Sequence, residues 1–189
     1  MATKGWARIH VGCDITGRDR VERDLYTTPT KAVEELVTLE KFQSDVWEPA
    51  CGTGSISGVL SNAGYRVRNS DIYPEMEDAE TLDFFNTNEV WDGDIITNPP
   101  YAMSLAFVQK ALSVVKDGAK VCMFLPITFL ETKKRTEWFK TCPPTRVYIA
   151  RMRLACNSPT KQFKGSAVCY AWIIWEKGWR GEPILRWFN

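Results

Sequence analysis

Apolar and polar positions along this chain change period several times, and each change marks an element. In TTPTKAVEELVTLEKF, Ala32, Val33, Leu36 and Val37 recur at helical spacing, with Thr28 placed to cap the helix and Pro29 at its first position. DVWEPACGTG reads as a short strand ending in a glycine turn. Ile56, Val59, Leu60 and Ala63 then set a helix over about residues 54–63, which Gly64 closes. YRVRNSD is the next strand. After a less regular stretch, GDIITN reads as a strand and AMSLAFVQKALSVVKDG as a helix with Leu105, Ala106, Ala111, Leu112 and Val115 facing inward. KVCMFLP is a strand again and ETKKRTEWFK a short basic helix. Strands alternating with helices predict an α/β fold with a parallel sheet and crossover connections. The end of the chain breaks the alternation. TRVYIARMRLA and SAVCYAWIIWEKG read as two long strands, and the linker CNSPTKQFKG is too short for a crossover helix, so they pair as an antiparallel hairpin.

Length and composition place this pattern in one domain spanning residues 1–189: 44% of the 189 residues are hydrophobic and 12% aromatic, enough for one good core. Residues 1–25 mix Gly, Arg and Asp without periodicity and are expected to form an irregular arm. They hold no apolar run fit for a signal peptide, and no later stretch approaches a membrane span, which predicts a cytoplasmic protein with no membrane partner. The six cysteines form no CxxC pair and the only histidine is His10, so no metal site is expected and the thiols are read as reduced packing residues. Trp172, Trp175, Trp179 and Trp187 are read as mostly strand and core packing. Net charge is +1, yet residues 131–189 hold 12 of the 24 basic and 4 of the 23 acidic residues, a net +8 against −7 for residues 1–130. Such a split suits a polyanion at one end and a different ligand at the other, although ordinary solvated surface also produces it.

Two motifs carry chemistry. EPACGTG ends a strand of an α/β sheet, where a glycine turn lets backbone amides approach a ligand, and Asp71 ends the next strand, where a carboxylate can accept hydrogen bonds from ribose hydroxyls. GxGxxG and the GxxxxGK[ST] phosphate loop are both missing, which favours a nucleoside cofactor without phosphates. The second motif is NPPY, residues 98–101, directly after the apolar strand DIIT.

EPACGTG followed by LDFFNTNEVWDGDIITNPPY, with TTPTKAVEEL upstream, resembles the S-adenosylmethionine-dependent N6-adenine amino-methyltransferases of restriction-modification systems and their small phage-type relatives. The resemblance covers most of the chain. It implies a Rossmann-like class I methyltransferase fold, with a mostly parallel seven-stranded sheet and a C-terminal antiparallel hairpin, and S-adenosyl-L-methionine as cofactor. Tyr26, Thr27 and Thr28 would lie near the methionine end of that cofactor. Glu48, Ala50, Gly52 and Gly54 would shape its pocket, Asp71 would hold the ribose, Ile72 would pack on the adenine ring, and Asp83 with Phe84 would bind that adenine's edge. Asn98 would border the same pocket and, with Pro99, Pro100 and Tyr101, would form the catalytic tetrapeptide.

The tetrapeptide suits a particular chemical problem. An adenine N6 amine is a poor nucleophile because its lone pair is delocalised into the ring. The Asn98 carboxamide oxygen and the Pro99 carbonyl can each accept one amine hydrogen, drawing the nitrogen toward tetrahedral geometry. Two prolines with fixed φ hold that carbonyl in place, and the Tyr101 ring offers a face for a base swung out of its stack.

The resemblance gives the charge split a role, with DNA as the expected partner and Lys133, Lys134, Arg135, Arg151, Arg153, Lys161 and Lys164 as candidates for phosphate contact. It also implies an aromatic from the last hairpin on the other face of the flipped base, for which Phe163 is the available residue. After SAVCYAWIIWEKG only WRGEPILRWFN follows, leaving no room for a separate target-recognition domain. Specificity is then low, or comes from the arm and the hairpin loop, or is supplied by a protein partner. NPPY equally serves RNA-adenine and protein-glutamine methyltransferases, and a catalytically silent nucleic-acid-binding partner would keep the same fold. Cytosine N4 is disfavoured by asparagine at position 98. The implied setting is the cytoplasm of a bacterial or phage-infected cell, at or near the nucleoid.

Overall fold

A computed structural model describes residues 27–152, 154 and 168–189. The arm at residues 1–25, Tyr26, Arg153, Lys161, Phe163 and Lys164 lie outside the described residues. Helix α1 (Thr30–Leu39) leads to strand β1 (Asp45–Glu48), helix α2 (Ser55–Asn62), strand β2 (Arg66–Asp71) and a two-residue strand β3 (Glu80–Thr81). Strand β4 (Asp94–Thr97), helix α3 (Ser104–Val114), strand β5 (Lys120–Pro126) and helix α4 (Lys133–Phe139) complete the alternating part. Strands β6 (Arg146–Ala150), β7 (Tyr170–Glu176) and β8 (Ile184–Phe188) follow.

These strands form one sheet in the order β3-β2-β1-β4-β5-β7-β6-β8. The first five pair in parallel, β7 runs antiparallel between β5 and β6, and β8 pairs in parallel with β6. The hairpin read from the sequence is present, but the sheet has eight strands where seven were expected. β8 supplies the added edge, with Ile184, Leu185 and Trp187 about half exposed or more. Trp187 is thus the exception to the packing role read for the tryptophans, whereas Trp172 and Trp175 are buried. At the other end of the chain, α1 starts one residue later than its pattern suggested. Pro29, with φ −58° and ψ 127°, is the N-cap, and Thr28 precedes it.

Helices cover both faces, so the central strands are buried throughout instead of alternating. In β5, Cys122 and Phe124 join Val46, Ile96, Trp172 and Ile174 beneath α1 and α2. Val121, Met123 and Leu125 face the opposite way, into the cluster of Trp47, Ile95 and Trp175 under α3. The Trp172 indole donates to the Ala32 carbonyl at 2.7 Å, fastening β7 to α1. Cys51, Cys122, Cys142 and Cys169 are all free thiols.

Glu40, just past α1, ties this scaffold to the hairpin. It is 6% exposed, pairs with Lys120 Nζ at 2.6 Å and Arg146 Nε at 2.5 Å, and accepts from the Tyr148 hydroxyl at 2.7 Å. Burial pushes its carboxyl up, but the hydrogen bonds and charges of those partners outweigh burial and hold it below its ordinary 4.5. Glu40→Ala removes the shared partner of two part-buried cations, of which Arg146 keeps Glu176, and should cost about 1–3 kcal/mol, seen as a lower urea midpoint at unchanged slope. Because the folded-state value is depressed, the carboxylate's contribution is present above the unfolded-state value and is lost as pH falls through the folded one. The deficit of the variant should therefore shrink on acidification below about pH 4.5.

Candidate active site

Chain order puts β1 in the interior of the sheet, runs outward through β2 and β3, and returns to the other side of β1 as β4. The crevice between the carboxyl ends of β1 and β4 is the switch point at which open α/β sheets hold ligands. EPACGTG leaves β1 there, and NPPY leaves β4 there. Val46 pairs with Asp94 in β4, and Glu48 with Asn69 in β2. Past the strand ends, Cys51 N–H donates to the Ser70 carbonyl at 3.1 Å, which keeps the glycine turn beside the end of β2.

Residues of the glycine turn take up shapes that side chains resist. Gly52 (φ 50°) and Gly54 (φ 76°) are left-handed, and Gly54 caps α2. A Cβ on Gly54 would collide with the Met76 sulfur, so the Met76 thioether lies over the turn. Asp71 braces the turn from the side: Gly52 N–H donates to Oδ2 and Tyr73 N–H to Oδ1, both at 2.9 Å. Each carboxylate oxygen keeps a second lone pair for a ligand hydroxyl. Ile72, next in the chain, is 51% exposed just past the carboxyl end of β2. Thr28 is buried, its amide donating to Ser55 Oγ at 3.2 Å, which brings Thr27 and Thr28 against the start of α2.

Glu48 lies beneath the turn, 1% exposed. Its carboxyl accepts from Ser57 N–H at 2.9 Å and contacts the Ser57 hydroxyl, which also donates to the Asn69 carboxamide oxygen. Burial, with the Asp71 charge adding to it against the Ser57 hydrogen bonds, pushes Glu48 up to about 8. The protonated form is favoured at neutral pH, and the carboxyl holds the first turn of α2 just behind the glycine turn. Its folded-state value lies above the unfolded-state one, so the folded chain holds the proton more tightly and loses stability as pH rises from about 4.5 to 8. Glu48→Gln, which mimics the neutral acid, should flatten this decline in a series of melts across that range. Neither Ser57 nor Asn69 carries a sequence signal for this role. Burial, followed by the charges of Glu48 and Asp71, pushes the Cys51 thiol up to about 12, which disfavours the thiolate.

Asp83 and Phe84 divide their tasks. The Asp83 carboxylate accepts from Phe85 N–H and the Asn86 carboxamide, each at 2.9 Å, capping a short 3-10 turn. The Phe84 ring, 2% exposed, packs edge-on to Trp47 at 5.2 Å and stacks on Phe107 at 5.4 Å. That ring belongs to the core, and only the backbone of Phe84 is left to meet an adenine edge.

On the β4 side, the tetrapeptide leaves the sheet by proline-fixed geometry. Pro99 is buried, Pro100 has φ −53° and ψ 122°, and its carbonyl accepts from Met103 N–H at 2.9 Å to start a 3-10 turn over Tyr101–Met103. Ser104 Oγ donates to the Tyr101 carbonyl at 2.9 Å. The half-buried Tyr101 ring lies 6.0 Å from that of Tyr170. Asp94, at the start of β4, accepts from Gln43 N–H and Lys120 N–H, both at 2.7 Å, and so anchors the far end of the strand. Arg151, Lys133 and Lys134 are exposed, and Arg151 follows β6 at the same edge of the sheet as the site. A cavity of about 250 Å3 lined by Leu112, Cys142, Trp175 and Trp179 sits at the opposite end of the strands, away from this chemistry. No helix among the described residues is long and apolar enough to cross a membrane, and no acid, cysteine or histidine cluster among them could hold a metal.

Neither a protein-family model nor a curated protein sequence matches this chain. Solved structures do. A Pyrococcus horikoshii protein assigned as an RNA methyltransferase superposes with a TM-score of 0.61 at 17% identity, over 82% of this chain and 87% of that one. A Listeria monocytogenes protein assigned as a class I S-adenosylmethionine-dependent methyltransferase gives 0.57 at 14%, over 89% and 68%. The modification subunit of a type I restriction enzyme assigned in Vibrio vulnificus gives 0.58 at 11%, over 87% of this chain and 47% of the subunit. With its parallel strands, crossover helices and antiparallel β7, this chain has the Rossmann-like fold of the S-adenosylmethionine-dependent methyltransferases.

Proposed function

We propose that this chain transfers a methyl group from S-adenosyl-L-methionine to the exocyclic N6 amine of adenine in DNA. The observation that carries the proposal is NPPY at the end of β4, across the switch-point crevice from a glycine turn braced by Asp71. The crevice fits the cofactor: left-handed glycines leave room for its methionine end once the flexible Met76 side chain swings aside, and Asp71 can accept ribose hydroxyls. Exposed Ile72 can cover one adenine face, while Asp83 and the Phe84 backbone meet its edge.

When bound, the cofactor supplies an electrophilic methyl group on a sulfonium. Asn98 Oδ1 and the Pro99 carbonyl accept the two amine hydrogens, raising the pyramidal character of N6 and directing its lone pair. Pro99 and Pro100 keep these acceptors from rotating away, and the Tyr101 ring holds the extruded base. The amine nitrogen held by Asn98 and Pro99 would take up the methyl group of the bound cofactor, whose sulfur leaves as a neutral thioether, with the surplus amine proton passing to water. No strong base is required, and orientation supplies most of the rate. The basic final third of the sequence favours a nucleic acid over a protein acceptor.

Methyl transfer from radiolabelled S-adenosylmethionine to duplex DNA, single-stranded DNA, RNA and a protein lysate, followed by nucleoside digestion, tests the reading. N6-methyladenine in DNA is the expected product. Label in RNA or on glutamine would reassign the acceptor, and no cofactor binding by calorimetry would leave a silent nucleic-acid-binding partner.

A further inference from the structure

On the β5 side of the tetrapeptide, a cavity of about 220 Å3 opens between Tyr101 and Ser104 on one wall and Pro126, Thr128, Phe129 and Arg135 on the other. Arg135 is held at its rim. The guanidinium lies 4.7 Å over the Phe129 ring, and Nη1 donates to the carbonyls of Thr128 and Phe129 at 3.2 and 3.3 Å. Those contacts fix the guanidinium plane and leave Nε and Nη2 as donors. Its charge is unmatched in a way that its half-buried counterparts are not. Arg68 pairs with Glu80 and Glu89, and Arg146 with Glu40 and Glu176, whereas no described carboxylate is within ion-pair distance of Arg135. Burial lowers the pKa of Arg135, opposed by the charge of Glu131. A partly desolvated cation without a counter-ion, facing a cavity, is a site for an anion.

The anion's chemistry follows from the lining. A fixed planar fork matches a phosphate better than a point charge would, and the exposed Thr128 hydroxyl adds a donor or acceptor beside it. Since the opposite wall is Tyr101, a phosphate there belongs to the nucleotide whose base lies on that ring, or to its neighbour. We infer that Arg135, with Thr128, grips the phosphodiester flanking the target adenine and so fixes the strand from which the base is turned out. This rests on the proposed role of Tyr101 as the platform for the extruded base.

Anisotropy of a labelled mixed-sequence DNA duplex, titrated over a range of salt concentrations, tests the inference without needing turnover. Arg135→Gln should weaken binding about tenfold and reduce the slope of log K against log salt by about 0.9, as expected for one lost phosphate contact. Arg135→Lys, which keeps the charge and loses the fork, should retain the slope and lose several-fold in affinity. An unchanged slope in Arg135→Gln overturns the site and leaves Arg135 as a brace for its turn. Should that variant fail to fold, unchanged affinity in Arg135→Lys overturns the site equally. Arg135-dependent binding without adenine methylation keeps the phosphate site and rejects the proposed reaction. The same dependence on an RNA probe alone keeps it and changes the polymer, while failure of the wild type to bind either polymer rejects it.

Discussion

Asn98→Ala is expected to lower the rate of methyl transfer at least about 100-fold while S-adenosylmethionine binds within about threefold of wild type. The asymmetry follows from position. Asn98 follows the last residue of β4, whereas Asp71 braces the glycine turn through Gly52 and Glu48 holds the start of α2 through Ser57. Alanine removes an acceptor for an amine hydrogen and touches none of those bonds. Loss of an interaction made as charge develops appears in kcat, whereas loss of ground-state binding appears in KM. Asn98→Asp keeps an acceptor of the same reach and should retain more activity than the alanine variant. Single-turnover rates with cofactor saturating make the comparison. An alanine variant within about tenfold of wild type would remove Asn98 from the reacting centre.

The parts of the fold legible in the sequence are those where burial imposed a pattern. KVCMFLP is apolar at nearly every position because β5 is covered on both faces, and its seven residues are the strand observed. The glycine turn was equally plain, since the left-handed backbone at Gly52 and Gly54 leaves few other choices. The strands that went unread had no such constraint. β3 is only Glu80–Thr81, both exposed, and β8 is an edge strand with four of its five residues exposed. Pairing partners fix such strands, and no local period records them.

Within the site, the sequence marks residues at the strand ends but carries no record of what surrounds them in the fold. Phe84 was singled out for the edge of an adenine, yet its ring fills the space between Trp47 and Phe107. An aromatic beside an acid looks the same in one dimension whether it lines a pocket or a core. Glu48 was marked as a pocket residue, but its burial, its raised pKa and its contacts with Ser57 and Asn69 arise only when β1, α2 and β2 converge. Arg135 was one of seven basic candidates. What distinguishes it, a stacked guanidinium without a carboxylate partner at the rim of a cavity, is a property of the turn after β5 and not of the charge count.

Asp71→Ala should produce the opposite signature to Asn98→Ala, raising the dissociation constant for S-adenosylmethionine roughly 10- to 100-fold, with much of the transfer rate regained at saturating cofactor. The range corresponds to one charge-assisted hydrogen bond, worth about 1.5–3 kcal/mol. Asp71 also braces the turn by accepting from Gly52 and Tyr73, so its removal loosens two segments of the proposed cofactor pocket at once. Asp71→Asn separates the two contributions. The amide keeps one acceptor oxygen, enough for one of the two backbone N–H groups, but not the charge or the second acceptor. A dissociation constant for Asp71→Asn close to that of alanine would assign the loss chiefly to the carboxylate's bonds with the cofactor. A value close to wild type would assign it to the brace. Calorimetry on the three proteins gives the answer, and an unchanged constant in Asp71→Ala would exclude Asp71 from cofactor binding and leave it as the support for Gly52.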